Sequence, residues 1–168
     1  MRAIYLLSVW LHIIAAAVWI GGMVFLALVL IPIIRRPEFR GQASSLVHFT
    51  GIRFRWIGWA SIFLLLLTGA TNLVFRGISV AVLSSGDFWR SPFGWTLGSK
   101  LIVVAVVLAL SIVHDFFIGP KASAAGRANP ASPEAMRLRR QASWFGRVNL
   151  VLALIIALFG IMLVRGTF

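Results

Sequence analysis

The chain has 168 residues, of which 60% are hydrophobic, with no cysteine and a formal net charge of +12. The absence of cysteine excludes disulfides, thiolate-bound metals and iron–sulfur clusters held by this chain. The charge alone would suit nucleic acid. However, the basic residues flank long apolar runs, where membrane topology and anionic headgroups account for them, so no nucleic-acid partner is expected.

Four apolar runs predict helices over about 4–34, 57–75, 100–118 and 148–165. Each is close to or above the ~20 residues that cross ~30 Å of hydrocarbon. The expected fold is all-α: a single integral-membrane four-helix bundle spanning 1–168. The start Met1-Arg2 followed by an apolar stretch superficially resembles a signal peptide, but the run continues to Pro32, past the ~7–15 residues of a signal h-region. It reads as a retained first helix.

The first loop carries Arg35, Arg36, Arg40, Arg53 and Arg55, and helix two is allowed a cytoplasmic extension from residue 40. The second loop holds only Arg76, Arg90 and Lys100. Its apolar patch 78–83 is expected on the membrane surface or over the bundle. Gly94 and Gly98 form a weak GxxxG at the entrance of helix three. The third loop carries Lys121, Arg127, Arg137, Arg139, Arg140 and Arg147. There Gly119-Pro120 reads as a helix stop followed by a flexible linker, with Pro133-Glu134 opening a short basic helix. Five and six basic residues against three place the first and third loops in the cytoplasm and both termini outside.

Polar groups inside a membrane are rare and point to function. Helix one aligns Ser8, His12, Ala15, Trp19 and Met23 at helical spacing. Helix two aligns Gly58, Ser61, Leu65, Thr68 and Asn72, helix three Lys100, Val107, Ser111 and His114, and helix four Asn149, Ala153 and Gly160. The three histidines, His12, His48 and His114, are the candidate metal or haem-iron ligands, since imidazole suits both haem iron and copper. A haem held by two histidines needs both at one depth on facing helices, and His48 with His114 is the better-matched pair. Arg53, Arg55 and Arg147 lie at that level as candidate partners for haem propionates. Asp115 stands beside His114 and is placed to orient its ring. His12 has Asn72, Met162, Lys100 or water as candidate partners. Copper(I) prefers thioether and thiolate ligands. With only Met1, Met23, Met136 and Met162 available, the residues lean towards haem b over copper.

His12, Trp19-Ile20-Gly21-Gly22 and Pro32 resemble the first helix of the copper-resistance protein D family. Thr68-Gly69, Pro92-Phe93-Gly94, Leu97 and Lys100-Leu101 are similar to the same family. The resemblance covers most of the chain from His12 to Lys100 and weakens through the third loop and helix four. It implies copper uptake across a bacterial membrane, in a chain that has the four-helix core alone. His12, Trp19, Lys100 and His114 are also similar to positions of the HemJ-type haem-binding protoporphyrinogen oxidase. That likeness implies haem or porphyrin handling by His12 and Lys100.

The expected function is a haem-b redox protein of the bacterial inner membrane, acting as electron carrier or haem-dependent oxidoreductase. Its expected partners are the lipid bilayer and a quinone or redox protein, with a homodimer sharing the cofactor as one arrangement. Copper handling along His12, Met23 and His114, and a non-catalytic membrane subunit, are the alternatives.

Overall fold

The computed structural model describes residues 2–39 and 41–166. Readings that involve Met1 or Arg40 lie outside the described residues. Four long helices form the molecule: α1 over Arg2–Ile34, α2 over Ala43–Phe75, α3 over Pro92–Ala128 and α4 over Pro133–Arg165. Short connections make neighbours antiparallel, so both ends of the chain lie at one end of the bundle, here the terminal end. α1 packs mainly on α2 and α3 mainly on α4, and α1 also meets α4. One residue from each helix, Trp19, Ile62, Val107 and Ala153, builds the central apolar layer.

The outside is as apolar as the inside. Leu28 is 70% exposed, Phe63 69% and Ile102 68%. Faces of this kind are stable only against lipid, and a helix satisfies its own backbone there. The chain is a multi-pass membrane protein. Three of the four exposed tryptophans mark the two interfaces, and the fourth, Trp10, faces lipid nearer the middle. Trp95 on α3 belongs to the terminal end, and Trp56 on α2 and Trp144 on α4 to the other. The Asn149–Ser111 hydrogen bond sets the register of α3 on α4. By that register Trp144 lies about 21 residues along α3 from Trp95, or ~30 Å, one hydrocarbon thickness.

Three helices are longer than the apolar runs, and most of the excess is at the end opposite the termini. α2 starts at Ala43, α3 continues to Ala128 and α4 starts at Pro133, so the third connection shrinks to 129–132. The reading of Gly119-Pro120 as a helix stop is therefore corrected. The backbone widens into a π-helical turn over His114–Ile118, where Gly119 N–H bonds the His114 carbonyl. The wider turn gives the Pro120 ring room against the preceding carbonyls, and the helix passes through. Pro32 is handled the same way, after a π-helical turn over Leu26–Leu30. Ala-rich sequence after Pro120 then favours helix over linker.

Local signals place the remaining ends. Gly77, at φ +77°, follows the end of α2. Ser91 and Ser132 each cap a helix that has proline next, accepting from Gly94 N at 3.0 Å and Ala135 N at 3.1 Å. In the second loop two helical turns, Val80–Leu83 and Gly86–Arg90, are pinned by Trp89 Nε1–H donating to the Leu83 carbonyl at 2.8 Å. Gly94 is needed by that turn and not by a helix–helix contact. A Cβ there would collide with the Phe88 carbonyl, whereas one at Gly98 would meet only the Trp89 ring at 3.4 Å.

Candidate functional site

The three histidines stand at three separate levels along α2, to which His48 itself belongs. His12 Nδ1 is 2.8 Å from Thr68 Oγ1. Asp115 accepts from His114 Nδ1 at 2.8 Å and from Trp59 Nε1 at 3.0 Å, which ties His114 to the Trp59 level. His48 stands opposite Ser123 at 2.7 Å. Along α2 the first two levels are nine residues apart and the next two eleven, so ~13 Å and ~16 Å at 1.5 Å per residue.

The pairing of His48 with His114 at one depth is corrected by this geometry. α3 is longer than expected, so Ser123 and His48 lie beyond the Trp144 level, while His114 lies just inside it. Two imidazoles on one iron need both nitrogens ~2 Å from the metal, and no two histidines of one chain are that close in depth. Among the described residues no group of three or more His, Asp or Glu side chains could hold a metal ion.

His12 sits near the middle of the belt-to-belt thickness. Thr68 donates its own proton to the Leu64 carbonyl at 2.6 Å. Its oxygen therefore accepts from His12, the proton belongs on Nδ1, and Nε2 keeps an unused lone pair. Thr68, and not Asn72 or Met162, is thus the partner of His12. Lys100 enters the interior from α3, about two helical turns nearer the terminal end than His12 by the Asn149–Ser111 and Trp59–Asp115 registers. Its Nζ lies against α4, 3.7 Å from where a Cβ of Gly160 would be. Ser8 Oγ, donating to the Thr68 carbonyl at 3.4 Å, closes this level from above.

His114 repeats the arrangement. Its Nδ1–H points at the Asp115 carboxylate and leaves Nε2 open, the pattern by which proteins orient ligand histidines. It lies in the π-helical turn, where side chains are re-aimed relative to a regular helix. Asp115 thus orients the His114 ring. Arg55 comes to this level, with its guanidinium 5.8 Å above the Phe116 ring and Nε buried without a partner.

The other expected residues are placed differently. Arg53 is exposed. Arg147 is exposed too and bonds only within its own helix, to Ser143 at 3.1 Å. It lines an open groove with Trp144, Val148, Val151 and Leu152, away from every histidine. His48 Nδ1 accepts from Arg127 at 2.7 Å, so its lone pair is engaged and a guanidinium lies where a cation would sit. Met23 packs against the central layer and shares no level with His12. Thr68, Trp59 and the buried Asn149–Ser111 bond at 2.9 Å complete the polar interior. All of these stand on the small-and-polar faces of their helices, but helical spacing does not say which of them touch.

A membrane bundle of four helices with single, individually oriented histidines at successive depths is the class this geometry defines. The profile of the family described as copper resistance protein D matches residues 50–165. The chain belongs to that family. The match runs from within α2 to the end of α4, where the motifs read from sequence were weakest, and leaves out the first-helix motifs. A protein of Aquifex aeolicus (strain VF5), described only as uncharacterized, is 33% identical over 162 residues, covering 95% of each chain. No solved structure matches.

Proposed function

We propose that this chain is a haem-b-binding redox protein of the bacterial inner membrane, with both termini outside. One observation carries the reading: a mid-membrane imidazole, His12, is held through Nδ1 by Thr68 with Nε2 free, and a lysine, Lys100, enters the same interior nearer the terminal end. The donor set fits ligation of haem iron by one histidine and does not fit ligation by two from the same chain. Lys100 argues for haem over a bare copper ion. A cation beside a cation costs energy in a low dielectric, whereas haem brings its own propionate carboxylates, which a lysine neutralises. When bound, the haem would supply one-electron chemistry, and the chain supplies ligation, burial and a counter-charge that tune its potential. His114, oriented by Asp115 near Arg55, is the second candidate ligand. A quinone or redox protein and a second copy of the chain are the partners this reading calls for.

Copper handling is the second reading, and it is supported by the description of the family. Against it stand the missing soft ligands around both oriented histidines and the positive charge of Lys100.

The test is the absorption spectrum of the purified protein, oxidised and dithionite-reduced, with iron and copper quantified on the same sample. A Soret band with sharp reduced α and β bands, lost in His12→Ala, supports the proposal. Stoichiometric copper in a colourless protein overturns it in favour of copper handling. Absence of both after expression with added haem and copper leaves a non-catalytic membrane subunit.

A further inference from the structure

Beyond the tryptophan belt, α2, α3 and α4 converge in a cluster that the haem reading does not use. Ser44 and His48 share a face of α2, four residues apart. Ser123, Gly126 and Arg127 face them from α3. Arg127 Nη1–H donates to His48 Nδ1 at 2.7 Å and to Ser123 Oγ at 2.9 Å. With Nδ1 accepting, His48 carries its proton on Nε2 and is itself a donor. From α4, Arg139 lies over Gly126. A Cβ on Gly126 would stand 3.1 Å from Arg139 Nη2, 3.5 Å from Nε and 3.6 Å from Ser44 Oγ. The missing side chain at 126 is what lets the guanidinium settle between the helices.

The cluster is rich in donors and positive charge, and apart from the His48 and Ser123 acceptors of Arg127 no acceptor among the described residues answers it. Two of the four carboxylates, Glu38 and Glu134, belong to this end of the bundle. Yet among the described residues the only ion pairs are Arg90–Asp87 and His114–Asp115, so neither Arg127 nor Arg139 has a carboxylate partner. Two guanidiniums, an imidazole N–H and two hydroxyls match the oxygens of a phosphate group, which arginine binds bidentately.

We propose that Arg127, Arg139, His48, Ser44 and Ser123 form a binding site for the phosphate of an anionic lipid headgroup. Its level favours lipid over a dissolved anion: the cluster lies ~10 Å beyond the Trp144 level, where headgroups begin. A bound lipid would add a clamp across the ends of α2, α3 and α4, beside the buried Ala122, Ala135 and Leu138. The site is independent of haem, and its test reads lipid and not colour.

The full chain is placed in nanodiscs of phosphatidylcholine doped with phosphatidylglycerol, and lipid retained on release is counted by native mass spectrometry. Wild type is expected to keep phosphatidylglycerol. Arg127→Gln and Arg139→Gln are each expected to weaken retention about five-fold, the equivalent of about 1 kcal/mol per arginine at an anionic surface. Gly126→Leu leaves the net charge unchanged and fills the space beside Ser44 into which the Arg139 guanidinium reaches, and it should weaken retention as well. Arg140→Gln removes a charge one residue away, about 100° round the helix, and should not. Equal losses in Arg140→Gln and Arg139→Gln, or full retention in Gly126→Leu, would overturn the site in favour of diffuse attraction. Inorganic phosphate held in place of lipid, without preference for phosphatidylglycerol over phosphatidylcholine, would overturn the lipid assignment. Circular dichroism of each variant separates loss of binding from loss of fold, and Gly126→Leu keeps the test open if an arginine variant misfolds.

Discussion

Thr68 holds His12 across the α1–α2 interface, accepting from Nδ1 at 2.8 Å while its own proton is committed to the Leu64 carbonyl at 2.6 Å. A threonine in a membrane helix ordinarily bonds back to its own helix. Here that back-bond decides which nitrogen of a histidine on another helix stays free.

Thr68→Val should therefore act on cofactor binding more than on fold. It removes the acceptor for Nδ1–H, and losing such an outer partner typically costs ~10–100-fold in ligand affinity. Thr68→Ser keeps the oxygen and should keep binding. Haem titration followed at the Soret band compares the two, and equal affinity in Thr68→Val and wild type would remove Thr68 from the site.

Lys100 should show opposite effects on stability and on cofactor retention. An ammonium within a membrane bundle is costly, ~3 kcal/mol at the centre of a helix and less nearer its end. Lys100→Met should stabilise the empty protein by about 1–2 kcal/mol in denaturant unfolding and weaken haem retention several-fold. A variant that loses stability as well would mean that Lys100 is a structural partner only.

The Trp59–Asp115–His114 chain predicts an order of damage. Trp59→Phe removes one of two bonds to the carboxylate and should cost about 1–2 kcal/mol. Asp115→Leu strands both Trp59 Nε1–H and His114 Nδ1–H and should cost more, about 2–4 kcal/mol. Unfolding midpoints in detergent give both numbers. The reverse order would show that Asp115 is held by solvent and not by these two donors.

Gly94 and Gly98 separate a turn requirement from a packing motif. Gly94→Ala puts a methyl against the Phe88 carbonyl, which is backbone and cannot rotate away, so a loss above ~2 kcal/mol is expected. Gly98→Ala meets the edge of the Trp89 ring and should change stability by less than ~1 kcal/mol. Equal losses, measured by thermal unfolding, would restore the GxxxG reading.

Much of the architecture was legible because the bilayer imposes one rule on every span: about twenty apolar residues, with polar groups turned inward. Ser8, Trp19, Gly58, Ser61, Thr68, Val107, Ser111, Asn149 and Ala153, read as interior from spacing alone, are all buried. The ends of the helices were less legible. Hydropathy falls where a helix leaves the membrane, but α3 does not stop there: it runs on past Gly119-Pro120 to set Ser123 opposite His48, nine residues beyond His114.

The sequence by itself determined that this is a four-helix membrane protein with histidines, one lysine and a few hydroxyls inside, because hydropathy and helical period are local properties of the chain. Only the tertiary structure decided which of those groups touch, since axial register between helices depends on side-chain packing and on two π-helical turns, each followed by a proline. That register sets three histidines on three levels, gives His12 to Thr68 and His114 to Asp115, and gathers Arg127 and Arg139 around Gly126.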